Sequence, residues 1–261
     1  MRTPRSEPAA EPGARYRRKS LGQCFLEDRN ILALEAKLAK PEGKTVLEIG
    51  AGDGRLTAAL LAEKPKKITA IEKDPGFVSI LREKFSGRNT LDIVEGDFLK
   101  MVLPDAGVDV VVGNIPYYIS SDIIFRLKDM RFGHAVIMVQ KEFAEKMVAK
   151  PGDGNYGRLS VTAQLNYFVS LERKVLRHLF RPAPKVDSAI IILRPTGIRL
   201  TALQENVIRG LFQHRNKTVR NALMDSKMFN AEEIGRLGQL AKRRVRTLAK
   251  EECLEIARLL G

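Results

Sequence analysis

Three short stretches carry side chains whose types and spacing suit chemistry on a bound ligand. In Val46-Leu-Glu-Ile-Gly-Ala-Gly-Asp-Gly54 an apolar run enters Gly50, Gly52 and Gly54. Glycine suits such a loop because the turn needs unusual backbone angles and a Cβ would block close approach by a ligand. A glycine loop alone is shared with dinucleotide enzymes. Two acids close later apolar runs. Glu72, 18 residues after Gly54, is placed to accept hydrogen bonds from both hydroxyls of a ribose. Asp97, in Glu95-Gly-Asp-Phe98, can accept from the amino group of an adenine, with Phe98 packed on the ring. The third stretch is Gly113-Asn-Ile-Pro-Tyr-Tyr118. Asn and Pro are residues any turn would use. An aromatic pair at the mouth of a ligand site is not explained by a turn.

These stretches need a frame that brings them together. Strand candidates are Thr45–Ile49, Lys67–Ile71, Leu91–Val94, Val108–Val112, Ala135–Val139, Ser160–Leu165 and Ser188–Leu193. Several are continuously apolar, as strands buried on both faces of a parallel sheet must be. Between them Arg55–Glu63, Phe77–Phe85, Ile119–Leu127 and Lys141–Ala149 carry apolar residues at helical spacing. The alternation predicts a doubly wound α/β sheet, with the glycine loop and both acids at successive strand ends on its ligand-binding edge. Pro195-Thr-Gly197 marks a boundary. Beyond it Leu203–Phe212, Thr218–Met224, Ala231–Leu237 and Lys250–Leu260 read as short helices. The expected organisation is a main domain over 20–196 and a small, basic, all-helical domain over 197–261.

Charge names the class of partner. The 261-residue chain has a formal charge of +14 and a pI near 9.9, which calls for a polyanion, either nucleic acid or an anionic membrane surface. Apolar runs such as Ala189–Leu193 are too short to span a bilayer, and no apolar signal-peptide core follows the first residues. The surplus sits at the ends. Residues 1–19 hold six Lys/Arg against two Glu, and residues 197–261 hold thirteen Lys/Arg against seven Asp/Glu. With Pro4, Pro8 and Pro12, the first 19 residues read as a flexible basic arm. A mitochondrial transit peptide fits less well, because Glu7, Glu11 and the prolines spoil an amphipathic helix. Cys24 and Cys253 have neither metal-type nor redox-type spacing, so no metal is expected. The simplest reading is a cytoplasmic, monomeric protein that binds RNA or DNA and not membrane.

The Glu-x-Gly-x-Gly-x-Gly spacing resembles the first motif of Rossmann-like class I methyltransferases, whose loop faces the methionine end of S-adenosylmethionine. Asn114-Ile-Pro-Tyr117 resembles the Asn/Asp-Pro-Pro-Tyr motif of methyltransferases that modify exocyclic amines. Chemistry accounts for those residue types. The lone pair of an adenine N6 amine is delocalised into the ring, so the amine is a poor nucleophile. Acceptors on its two N–H groups, the Asn114 side-chain oxygen and the Ile115 carbonyl, favour a more tetrahedral nitrogen and stabilise the positive charge developing there. Tyr117 offers a face for the base to stack on, and Pro116 fixes the backbone so that the preceding carbonyl points into the site. The methyl donor is already a sulfonium, so positioning matters more than a strong base. His134, His178 and His214 are therefore assigned no catalytic role.

Seven blocks extend the likeness: Leu21-Gly-Gln-Cys-Phe-Leu26, Leu47–Gly54, Asn114–Ser120, Gln140-Lys-Glu-Phe-Ala144, Tyr156-Gly-Arg-Leu-Ser160, Phe180-Arg-Pro-Ala-Pro-Lys-Val-Asp-Ser188 and Asn216–Leu223. In this order they resemble the small-subunit ribosomal RNA adenine N6,N6-dimethyltransferases across roughly residues 19–250. The resemblance implies two adjacent adenosines in the hairpin near the 3′ end of small-subunit rRNA as substrate, each receiving two methyl groups on an assembling subunit. It implies that Gln23, Cys24 and Leu26 line the cofactor with Gly50, Gly52, Glu72, Asp97, Phe98 and Asn114. It also implies that Phe180 lies opposite Tyr117 across a flipped adenine. Many members carry asparagine where this chain has Cys24, which leaves a backbone contact to the cofactor at that position. Related large-subunit rRNA methyltransferases share the glycine loop and Asn-x-Pro-Tyr. The Lys185-Val-Asp-Ser188 and Arg220-Asn-Ala-Leu223 blocks favour the small-subunit group, and a small-molecule methyltransferase would leave the basic ends unexplained.

Overall fold

A computed structural model describes residues 24–102 and 107–261; the basic arm over 1–19 and Gln23 lie outside them. The chain enters through a two-residue strand, β1 (Phe25–Leu26), and helix α1 (Arg29–Ala39). There follow β2 (Thr45–Ile49), α2 (Arg55–Ala62), β3 (Lys67–Glu72), α3 (Pro75–Lys84), β4 (Leu91–Glu95) and β5 (Val110–Asn114). Next come α4 (Ser120–Arg126), β6 (His134–Gln140), α5 (Lys141–Val148), α6 (Arg158–Asn166), β7 (Tyr167–Val175), β8 (Phe180–Arg181) and β9 (Ser188–Pro195). The last four helices are α7 (Ala202–Gln213), α8 (Val219–Ser226), α9 (Ala231–Gly235) and α10 (Lys250–Leu260).

Seven strands form one sheet in the order β4-β3-β2-β5-β6-β9-β7. All neighbours are parallel except β9, which runs antiparallel to β6 and β7. The chain winds outward from β2 through β3 to β4, then returns to lay β5 on the other side of β2. That reversal opens a crevice beyond the carboxyl ends of β2 and β5, the position where sheets of this kind bind ligands. Alternation along the strands feeds two apolar layers. Val46, Val110, Val112, Val136 and Met138 pack with α1 and α2 on one face. Leu47, Ile49, Val111, Ala135, Ile137 and Val139 pack with α4 and α5 on the other.

One expected strand is a helix. Ser160–Leu165 lies inside α6, although Leu159, Val161, Ala163 and Leu165 alternate with polar residues as a strand would. Ala163 and Leu159 face the sheet layer, while Val161 and Leu165 face a third cluster built with α7, α8 and α10. Residues two apart in a helix point about 200° apart, so two apolar stripes on opposite faces imitate a period of two. The strand that does occupy this part of the sheet, β7, is an edge strand carrying Glu172, Arg173 and Lys174. Charges of that kind protect an edge and break any apolar run.

β9 ends at Pro195 and α7 begins at Ala202, which brackets the expected boundary. Packing continues across it. The Tyr156 hydroxyl donates to Leu248 O at 2.7 Å, Arg215 donates to the carbonyls of Gly154 and Tyr156, and Lys250 Nζ donates to Gln164 O at 2.9 Å. Among the described residues no helix is long and apolar enough to cross a membrane.

Candidate active site

At the crevice the glycine loop leaves β2 and is fastened to the end of β3. Gly50 and Ala51 donate to Ile71 O at 2.8 and 3.2 Å, and Gly52 N donates to Glu72 Oε2 at 2.8 Å. Gly50 has φ +74°, and a Cβ built there meets no protein atom within 4 Å, so it would enter the open cleft. The loop thus presents backbone to whatever occupies a cleft of about 400 Å³ lined by Cys24, Leu26, Gly50, Gly52, Glu72, Asp97, Phe98, Asn114–Tyr118 and Phe180. Every described residue expected at the site lines this one cavity; Gln23 falls outside the described residues.

Glu72, nearly buried, ends β3. Its Oε1 accepts from the backbone N–H groups of Lys73 and Asp74, both at 2.8 Å, in addition to the Gly52 bond on Oε2. A carboxylate offers about four acceptor positions, so three backbone donors leave one, on Oε2. The expectation of two ribose hydroxyls on Glu72 is thereby narrowed to one direct bond while these backbone bonds persist. Asp97 stands two residues beyond β4. Lys73 Nζ lies 2.9 Å from its Oδ2, and Leu99 N donates to its Oδ1 at 3.0 Å. The Lys73 ammonium holds the Asp97 carboxyl below the usual range, so it is an anionic acceptor. Phe98 is almost wholly buried, and Arg126 of α4 fixes its segment by donating to Phe98 O at 2.9 Å and to Met101 O, with the guanidinium over the Phe98 ring.

Asn114 is the last residue of β5, and its Oδ1 is buried without a hydrogen-bond partner. The Ile115 side chain is buried in the core, which leaves its backbone for the cleft. Pro116, at φ −58° and ψ 135°, turns the chain into a short 3-10 turn over Tyr117–Ile119. The Tyr117 hydroxyl and Ser188 Oγ are 2.6 Å apart. Burial pushes the phenol's pKa up, with the Ser188 bond acting against it, so the ring is neutral. Tyr118 is 70% exposed at the rim. Phe180 reaches the cleft from β8, whose antiparallel pairing with β1 sets Phe180 opposite Leu26. Burial raises the Cys24 thiol, against any role as a thiolate nucleophile. His134 is occupied with Ala39 O at 3.0 Å. Lys73, Arg126 and Ser188 were not singled out as site residues from sequence. Lys73 could have been found beside Glu72, whereas Arg126 has no local signal.

The family model for ribosomal RNA adenine dimethylase matches residues 14–260. The chain is 42% identical over 247 residues to a protein of Thermococcus onnurineus named "probable ribosomal RNA small subunit methyltransferase A", covering 90% of this chain and 89% of that one. A Methanothermobacter thermautotrophicus protein of the same name is 41% identical, with 94% and 91% covered. Among solved structures, a dimethyladenosine transferase from Plasmodium falciparum superposes with a TM-score of 0.78 at 32% identity, covering 89% of this chain and 95% of that one. The 23S rRNA methyltransferase ErmE superposes at 0.68 with 30% identity, covering 90% and 99%.

Proposed function

The chain belongs to the ribosomal RNA adenine dimethylase family, and from that membership we infer that it is an S-adenosylmethionine-dependent methyltransferase acting on adenine N6 of ribosomal RNA. Its substrate is a pair of adjacent adenosines in the hairpin near the 3′ end of small-subunit rRNA, each dimethylated on an assembling subunit. The enzyme acts as a monomer in the cytoplasm. The relatives named for the small subunit support that choice over large-subunit RNA.

The observation that carries the reading is the buried, unpartnered Asn114 Oδ1 at the end of β5, beside an open glycine cradle. S-adenosylmethionine supplies an electrophilic methyl group on a sulfonium. The residues present fit it: Gly50 admits close approach, Glu72 offers an acceptor to a ribose hydroxyl, and anionic Asp97 offers one to an adenine amino group. Cys24, Leu26 and Phe98 complete the walls. On the substrate side, Asn114 Oδ1 and the Ile115 carbonyl accept from the target amine's N–H groups and stabilise charge developing on nitrogen. Tyr117 and Phe180 hold the base between rings. The basic arm and the cationic residues of 197–261, with Arg220 exposed on α8 and Lys242, Arg244 and Arg246 exposed between α9 and α10, supply phosphate contacts. Asn114→Ala is expected to lower labelled-methyl incorporation at least a hundredfold, with cofactor affinity changed far less. Unchanged turnover would remove Asn114 from the mechanism.

A further inference from the structure

Behind the cleft, Glu35 is completely buried in the middle of α1. It sits on the inward stripe Ile31–Glu35–Ala39, with apolar residues one turn to either side. Neither of its oxygens has a hydrogen-bond partner, although buried polar groups are ordinarily partnered and an isolated one costs several kcal/mol. Alternation along β5 determines what it faces. Val110 and Val112 join the layer that holds Ile31, Leu32, Ala36 and Ala39, whereas Val111 joins the opposite layer. Asn114, two residues beyond Val112, therefore projects on the face that α1 covers. Glu35, fully buried, and Asn114, half-buried with a buried Oδ1, thus share the face between α1 and the end of β5, and the oxygens of both lack hydrogen-bond partners.

Burial raises the Glu35 carboxyl to about 8; the Asn114 side chain opposes that rise and the neighbouring Glu48 adds to it. Only a donor stabilises a carboxylate, and the only donor on Asn114 is its amide nitrogen. The nitrogen is therefore the end of the amide suited to Glu35, leaving the oxygen for another partner; no hydrogen bond joins the two side chains in this structure.

We propose that Glu35 is a positioning residue for methyl transfer, its buried carboxyl accepting from Asn114 Nδ2 so that Asn114 Oδ1 stays turned to the substrate amine. An amide rotated by 180° would offer N–H groups to an N–H donor and lose the acceptor at the reacting nitrogen. Glu35 retains an acceptor oxygen whether or not it is protonated. The inference rests on the assignment of Asn114 made above.

The test uses the full chain with immature small subunits and labelled S-adenosylmethionine. Glu35→Leu removes the acceptor at similar size, and Glu35→Gln keeps one. Expected results are a fall in kcat of at least tenfold for E35L, cofactor affinity within about threefold of wild type, and E35Q within threefold of wild-type kcat. In an Asn114→Ala background E35L should change kcat less than twofold, because the residue it positions is gone; a merely structural role would lower kcat equally in both backgrounds. Glu35→Met, linear and apolar, takes the place of E35L if that variant does not fold. E35L with kcat within twofold of wild type, E35Q as impaired as E35L, or additive effects with N114A would each overturn the proposal. Wild-type turnover in N114A would instead refute the assignment of Asn114, and wild-type protein that methylates no adenine would refute the proposed function.

Discussion

The hydroxyl pair Tyr117–Ser188 ties the substrate motif at the end of β5 to the start of β9, and its removal has a calculable cost. Ser188 is wholly buried, and its Oγ is bonded to the Tyr117 hydroxyl at 2.6 Å. Tyr117→Phe keeps the ring and leaves that buried hydroxyl without its partner, a loss of about 1–3 kcal/mol. For a chain of this size about 1 kcal/mol corresponds to roughly 2–4 °C in Tm, so Y117F should melt about 2–12 °C below wild type. Ser188→Ala removes the inner partner and leaves the phenol at the cleft, where water can reach it, so its cost should be below about 1 kcal/mol. The double variant then has no orphaned hydroxyl and should recover most of the Y117F deficit. Activity separates the ring from the hydroxyl. Y117F retains the stacking face and should stay within about tenfold of wild-type kcat/KM, whereas Tyr117→Ala should lose about 1–3 kcal/mol of base stacking, a fall of roughly 5–150-fold. Thermal denaturation and labelled-methyl transfer read the two effects. Additive Tm losses in the double variant would refute the hydroxyl argument, and full activity in Y117A would refute the stacking role.

Asp97→Asn removes the anion paired with Lys73 and the charged acceptor in the cofactor wall; a charged hydrogen bond contributes about 1.5–3 kcal/mol, so calorimetry should show S-adenosylmethionine binding weakened at least tenfold. Glu35 and Glu48 are buried acids raised from 4.5 to about 8. Each holds its proton in the folded chain over a range where the unfolded chain releases it, so their contribution is greatest below about 4.5 and is lost as pH rises towards 8. Urea unfolding should find the wild type less stable at pH 8 than at pH 5.5, by an amount that shrinks in Glu48→Gln. Phosphate-dominated RNA binding predicts that log kcat/KM falls linearly with log salt, with a slope of roughly −0.7 to −0.9 per phosphate contact. A flat profile would dissociate the basic ends from substrate binding.

Much of this arrangement was legible because parallel strands buried on both faces leave unbroken apolar runs: Thr45–Ile49 was bounded to the residue, and Lys67–Glu72 and Leu91–Glu95 to within one. The glycine loop, Glu72, Asp97 and Asn114 were legible because strand ends at a switch point converge on one crevice, and all four line it. Reading failed where neighbours decide the pattern. α6 buries two opposite stripes and imitates a strand, while β7 is an edge strand whose charges hide it. Lys73, Arg126, Ser188 and Glu35 act through partners 24 to 79 positions away, Asp97, Phe98, Tyr117 and Asn114. No spacing rule connects such pairs before the sheet is assembled. The occupancy of Glu72 by three backbone N–H groups is likewise a product of the turn, invisible until Lys73 and Asp74 fold back on it.

The most direct test of the central claim is mass-mapping of methylated adenines after purified protein is incubated with immature small subunits and labelled S-adenosylmethionine. N6,N6-dimethyladenosine is expected at two adjacent positions in the hairpin near the 3′ end of the small-subunit rRNA, and none with N114A. Label confined to large-subunit RNA, or dimethylation that persists in N114A, would contradict it.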